Sequence, residues 1–268
     1  MRWRKRARIV TLLTDFGSTD PYVGEVKGAV LSRCSDAVLV DITHEVAPYN
    51  VKQGAFLLQL SYKFFPTGTI HLAVVDPGVG TERRGVVIRT RRYWFVGPDN
   101  GLLYPAAVED RLEECFEIEV NKYPRIGGET FHARDVFGPV AGEIAAGARP
   151  SMRSVSPSTL NRLELSRARF VDGQAEAEVL HIDRFGNAIL NVGAEDFPRN
   201  LRFGDKLLVE LEDASHLAVY SRSYAMLPGG TLLATFGGTG LLELAVSRGN
   251  ASAALGLRPG ARLRLRII

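Results

Sequence analysis

Cysteine is scarce: the chain has only Cys34 and Cys115 in 268 residues. Two thiols cannot make a disulfide framework, and without a C-x-x-C pair they cannot make a zinc cluster, so both are expected as inert thiols in a reducing cytoplasm. Histidine is also sparse, five in all, and no two share a metal-ligand spacing such as H-x-x-x-H. The G-x-S-x-G nucleophile elbow, the phosphate-loop pattern and the dinucleotide fingerprint are absent. Metal-assisted and serine-nucleophile mechanisms therefore have no support. No apolar run approaches the roughly 18 residues of a membrane span. Charge is nearly balanced, with 33 Lys and Arg against 30 Asp and Glu, which argues against the broad basic stripe of a nucleic-acid binder. The one basic cluster is the head, "MRWRKRAR". It is expected as a solvated tail, because the "IVTLL" that follows is too short for a signal-peptide core and has no small-residue cleavage site.

What is present is an ordinary globular composition, 46% hydrophobic and 24% charged, long enough for two domains. The first half alternates in type. "RIVTLL", "AVLVDI" and "TIHLAVVD" read as strands. "YVGEVKGAVLSRC", "VKQGAFLLQLSYKFF" and "DVFGPVAGEIAAGA" read as helices, and "GVVIRT" with "YWFVG" as a strand pair across "RR". The alternation predicts an α/β domain with a largely parallel sheet. From about residue 147, "GARPSMRSVSPSTLNRLELSRA" has turn formers and little periodicity and reads as a linker. Beyond it, "AEAEVLHI", "NAILNV", "DKLLVEL", "HLAVYS", "TLLATF", "LLELAV" and "ARLRLRI" predict an all-β barrel or sandwich. The expected domains are residues 1–168 and 169–268.

In open α/β sheets, ligands bind at the carboxyl ends of the strands, and the polar residues of this chain collect there. "TDFGSTD" follows the first strand and carries Asp15 and Asp20. An ionised Asp15 could accept from two ribose hydroxyls, whereas read alone either Asp is a helix cap. "VVDPGVGTERR" follows the third strand; read alone, its Pro-Gly-Val-Gly is a turn and Arg83 and Arg84 a solvated pair. It is not a phosphate cradle, since a strand rather than a helix comes after it. "TFHARDVFGPVA" sets His132 ahead of a helix. In the β module, Asp183 and Asn187 bracket a Phe-Gly turn, and the Asn amide could both donate to and accept from a heteroaromatic base. Tyr224 in "SYAMLPGG" offers either a stacking face or core packing.

In this order, these segments, with "DITHEVAPYNVKQGA", "GPDNGLL" and "GLLELAVSRGNA", resemble the S-adenosyl-L-methionine (SAM) hydroxide adenosyltransferases, the adenosine-forming SAM hydrolases related to fluorinases and chlorinases. The resemblance covers nearly the whole chain. It implies a catalytic Asp-Arg-His set at Asp76, Arg83 and His132. It also implies ribose binding at Asp15, methionine contacts at Asp20, Asp183 and the Gly238-Thr239 region, and adenosine contacts at Asn187, Tyr224 and Val246. Tyr49 matches an aromatic lining the site, and Glu243 is a further candidate for the same pocket. Ala133 stands where such hydrolases carry Gly, and "GGTG" replaces a more polar turn.

The implied reaction is attack of water or hydroxide on the ribose 5′ carbon of SAM, giving adenosine and methionine. A sulfonium is already an activated leaving group, so no cofactor or metal is expected; alignment and desolvation of the nucleophile supply the catalysis. The family's halogenases carry Tyr where this chain has Asp76, whose charge would repel a halide. Hydrolysis is therefore expected ahead of halogenation, and ahead of a non-catalytic SAM or adenosine sensor on the same fold. The resemblance further implies a homotrimer with active sites at subunit interfaces; cysteine usage, charge and hydropathy give the expectation of a cytoplasmic protein with neither nucleic-acid nor membrane partner.

Overall fold

A computed structural model describes residues 8–165, 167–168, 170–197 and 200–268. The basic head, but for Arg8, lies outside the described residues. The chain separates into two compact units, one ending at Glu164 and the other beginning at Leu165.

The first unit is built on seven strands: β1 (Ile9–Thr14), β2 (Val38–Thr43), β3 (Ile70–Val74), β4 (Gly85–Thr90), β5 (Trp94–Pro98), β6 (Leu112–Ile118) and β7 (Met152–Val155). Their order across the sheet is β2-β1-β3-β5-β4-β6-β7. β1 pairs in parallel with β2 and β3, and β3 with β5. β4 then runs antiparallel to both β5 and β6, and β6 to β7. The sheet is thus mixed, which corrects the expected largely parallel arrangement. The cause is local: the three residues between β4 and β5 are too few for a crossover, which needs a dozen or more, so the chain can only fold back on itself. The expected linker is corrected as well. Its Met152–Val155 stretch completes the sheet edge as β7; one short strand has too few residues for periodicity to reveal it.

Helices cover both faces. α1 (Tyr22–Leu31) and α4 (Gly138–Ala146) pack over Val10, Leu12, Leu72 and Val74, while α2 (Val51–Ser61) and α3 (Tyr104–Glu109) pack over Leu13, Ala73, Val75 and Phe95. With both faces covered, β3 is buried along its whole length, which is why "IHLAV" reads as a continuous apolar run instead of an alternating one. Each such Leu or Val contributes about 1.5–3 kcal/mol on burial. In register, Thr14 of β1 lies beside Val74 of β3. The chain segments leaving these strands, with Asp15 and Asp76, therefore emerge side by side at one sheet end.

The second unit is a closed seven-stranded barrel of β8 (Gln174–Ile182), β9 (Ala188–Gly193), β10 (Lys206–Glu210), β11 (Ser215–Tyr220), β12 (Leu232–Phe236), β13 (Leu241–Val246) and β14 (Arg262–Ile267). These are the seven apolar runs of the sequence. Closure leaves no sheet edge exposed, which resolves the choice between barrel and sandwich. β11 and β12 pair in parallel, while the neighbouring pairs are antiparallel. Val179, Leu190, Leu207, Ala234, Leu244 and Leu265 are among the residues filling the interior. Among the described residues, no helix is long and apolar enough to cross a membrane.

Candidate active site

Asp76 follows β3 by two residues and enters a tight turn, in which Val79 N–H donates to the Asp76 carbonyl. The turn brings Arg83 back over Asp76. Arg83 Nε donates to Asp76 Oδ1 at 3.1 Å and Nη2 donates to Oδ2, a two-pronged pair. Both side chains are deeply buried, 8% and 4% exposed. A third guanidinium bond runs from Nη1 to the Arg84 carbonyl, and the charge sits 5.3 Å from the centroid of the Phe137 ring. Gly85 gives that ring room, since a Cβ there would meet it at 2.8 Å. The sequence reading of Arg83 and Arg84 as a solvated pair is therefore overturned. Arg84 is engaged separately, with buried Asp99 and the Thr159 carbonyl.

His132 stands at the start of a single π-helical turn, Ala133–Phe137, that runs directly into α4. Single π-turns of this kind recur at functional sites. His132 Nδ1 lies 3.2 Å from Arg83 Nη2. Arginine only donates, so Nδ1 must accept, and the ring is neutral with its proton on Nε2. Nε2 is buried with no hydrogen-bond partner among the described residues. Electrostatics agree with this assignment. Burial, then the Arg83 charge, holds the His132 pKa below its usual value, while burial raises the Asp76 carboxyl despite the opposing Arg83 contact.

Asp15 follows β1, and its Oδ2 accepts the Tyr49 N–H at 2.9 Å. Tyr49 takes up a left-handed backbone, φ 66°, directly before Asn50, which caps α2 by accepting from Gln53 N–H. The helix-cap alternative for Asp15 and Asp20 is corrected: α1 has Pro21 at its N-cap and no side-chain cap. Asp15 instead pins the turn that presents Tyr49, whose side chain is 73% exposed. Asp15, Tyr49, Asp76 and His132 line one cavity of about 350 Å³ together with Phe16, Tyr22, Val74, Val79, Thr130, Phe131 and Ala133. Asp20 is exposed and lies off this lining.

The aromatic wall went unread in the sequence. Phe16, Tyr22 and Phe131 meet edge to face, with centroids 5.3 to 6.2 Å apart. The available signal was the placing of an aromatic one or two residues from three of the polar candidates, in "DF", "DPY" and "FH". Among the described residues no group of three or more His, Cys, Asp or Glu side chains could hold a metal ion.

In the barrel, Asp183 and Asn187 close the β8–β9 hairpin. Asp183 Oδ1 accepts from the Phe185 and Asn187 backbones and Oδ2 from the Asn187 amide at 2.9 Å. Tyr224, on a short turn after β11, donates its phenol to Glu243 of β13. Val246 ends β13, and Thr239 in the β12–β13 turn accepts from Leu241 N–H at 3.2 Å.

Residues 10–154 match the SAM hydroxide adenosyltransferase N-terminal domain and residues 177–264 the corresponding C-terminal domain. An (R)-S-adenosyl-L-methionine hydrolase of Thermus thermophilus is 38% identical over 269 residues, covering 96% of this chain and 99% of its own. A fluorinase of Actinopolyspora mzabensis is 26% identical over 234 residues, 76% of this chain and 78% of the relative. A crystal structure of an uncharacterized conserved protein from Thermotoga maritima superposes with a TM-score of 0.88 at 31% identity, covering 96% of this chain and 99% of that one. Two domain matches spanning most of the sequence, with a relative of this identity end to end, make the chain a member of the SAM hydroxide adenosyltransferase family.

Proposed function

We propose that this protein hydrolyses SAM to adenosine and L-methionine. The observation that carries this is the buried Asp76–Arg83–His132 chain, two of whose members line the cavity that also holds Asp15. Water sits against Asp76 with an oxygen lone pair directed at the ribose 5′ carbon. As the C–O bond forms, the C–S bond breaks and its electron pair stays on sulfur, giving neutral methionine. Asp76 takes the proton from the attacking water. With Arg83 bonded to both oxygens and the Gly78 N–H to one of them, one carboxylate lone pair remains for that proton. His132 does not act as the base, since its one basic nitrogen already faces Arg83; its Nε2–H is the donor left for a bound oxygen. Holding the nucleophile in line within a dry pocket supplies the acceleration, and the sulfonium leaving group makes a cofactor unnecessary.

In this reading Asp15 accepts from the ribose hydroxyls, and Tyr49 covers the sugar. Asn187, Tyr224 and the backbone near Val246 hold the adenine, and Asp20, Asp183 and Thr239 the methionine end. Membership in the family supports these roles, as it does a homotrimer whose neighbouring chains complete one another's sites. A cytoplasmic setting suits the two free, buried thiols. Asp76 disfavours halogenation, because a halide would approach a buried carboxylate.

The test is to incubate purified protein with SAM and follow products by liquid chromatography, with and without chloride or fluoride and against a protein-free control. Adenosine and methionine formed in equal amounts, whatever the halide, support the reading. Bound SAM that is never turned over identifies a sensor, and a halogenated adenosine identifies a halogenase.

A further inference from the structure

The barrel buries a carboxyl group that the reaction above does not use. Glu243 is 5% exposed, in the middle of β13 between Leu242 and Leu244, which belong to the apolar interior. A carboxyl in such a place is costly unless it is hydrogen-bonded. Its partner is the Tyr224 phenol, nineteen residues earlier in the chain. The carboxyl reaches that phenol across Gly237, where any Cβ would overlap Glu243 Oε1. The β12–β13 turn thus begins with the one residue type that leaves this carboxyl room. Burial holds the Glu243 pKa above its usual value, the Tyr224 hydrogen bond pulls it down and the Asp183 charge pushes it up. The Tyr224 residue itself is 41% exposed. One end of the ring is thus tethered while the side chain remains open to a ligand.

We propose that Glu243 is a positioning residue: its carboxyl fixes the Tyr224 ring as a preformed stacking platform for the adenine base, and so sets affinity for the nucleoside rather than the rate of the chemical step. This rests on the SAM-hydrolase reading. A tyrosine on a short turn would otherwise rotate between rotamers, and the base would have to order it on binding. Gly237, Glu243 and Tyr224 act as one device, the glycine clearing the space and the acid holding the ring.

The test measures SAM kinetics and adenosine affinity, by calorimetry, for the wild type and for Tyr224→Phe, Glu243→Gln, Glu243→Ala and the Tyr224→Phe/Glu243→Ala double variant, with thermal melts to confirm folding. Tyr224→Phe and Glu243→Ala should each raise KM and the adenosine Kd by about three- to tenfold, the cost of ordering one freed side chain on binding. kcat should stay within about twofold, as expected when only uniform binding is lost. Glu243→Gln, whose amide oxygen can still accept from the phenol, should recover most of the affinity. The double variant should be no worse than either single one. The proposal is overturned if kcat falls while KM holds, if the single effects add, or if Tyr224→Phe, which leaves the fold untouched, binds adenosine like the wild type. If the wild type neither hydrolyses SAM nor binds adenosine, the hydrolase reading fails first and takes this proposal with it.

Discussion

Arg83 Nη2 and His132 Nδ1 face each other at 3.2 Å, and that contact sets the chemistry each can perform. The guanidinium has no lone pair, so the imidazole must present one and cannot take up a second proton there without opposing two donors. In the proposed reaction His132 donates through Nε2, which leaves Asp76 as the proton acceptor of the set. Asp76→Asn keeps the shape and an acceptor oxygen for Arg83 but removes the base. It should lower kcat by about 10²–10⁴-fold, the usual contribution of a positioned acid or base. SAM affinity should change by less than about threefold. Equilibrium binding alongside turnover checks this, and an Asn variant with near-wild-type kcat would remove Asp76 from the mechanism.

Replacing Arg83 tests a second property of the same set. Arg83→Lys preserves the charge but not the two-pronged geometry on Asp76, and it takes away the donor to His132 Nδ1. The variant should fold, because a cation still accompanies the buried carboxylate, whereas Arg83→Ala would leave Asp76 uncompensated at about 3–5 kcal/mol. Turnover by Arg83→Lys should nevertheless fall about a hundredfold or more, since lysine is a point charge with no planar fork. Lysine activity close to wild type would show that charge alone suffices.

The pH profile follows from the two shifted groups. The proposed reaction needs Asp76 ionised, and its pKa is raised from 3.8; it needs His132 neutral, and its pKa is lowered from 6.5. Protonation inactivates both, so kcat/KM should rise with pH on the acid side and level off once both groups have lost their protons. An imidazolium acid would produce the opposite, a rate that falls as rising pH removes the imidazole proton. Initial rates between about pH 5 and 9, at constant ionic strength, separate the two.

Much of this architecture is legible in the sequence, and the parts that are not have physical reasons. All seven barrel strands stand out because turn formers separate them. The parallel core of the first sheet is visible because burial on both faces makes β3 a continuous apolar run. The sense of β4 and its neighbours is not, since strand periodicity is identical in the two directions, and only the brevity of the β4–β5 connection reveals it. In the site, "DPGVGTERR" alone cannot tell a solvated arginine from a buried one. The partner that buries Arg83 lies seven residues earlier, and the histidine it contacts forty-nine residues later. Likewise, nothing local marks Asp15 as the acceptor for Tyr49 N–H, thirty-four residues away.

Stability under acid offers a last prediction, at a residue the reaction does not touch. His71 in β3 is fully buried, with Nδ1 2.8 Å from Thr11 Oγ1 and its ring among Tyr62, Phe65, Tyr93 and Phe95. Burial pushes its pKa from 6.5 down to about 3, with Asp110 opposing weakly. The unfolded chain therefore binds a proton that the native chain refuses throughout that interval. Unfolded minus native proton uptake is positive, so stability rises with pH; it is fully present above about pH 6.5 and is lost as pH falls toward 3, at up to about 1.4 kcal/mol per pH unit. Replacing both partners, Thr11→Val with His71→Leu, removes the titrating group without leaving a lone hydroxyl. Denaturant midpoints measured from about pH 7 down to pH 4 should show the double variant losing less stability than the wild type, by close to one proton's slope. Parallel pH dependences would mean that His71 is accommodated in its charged form.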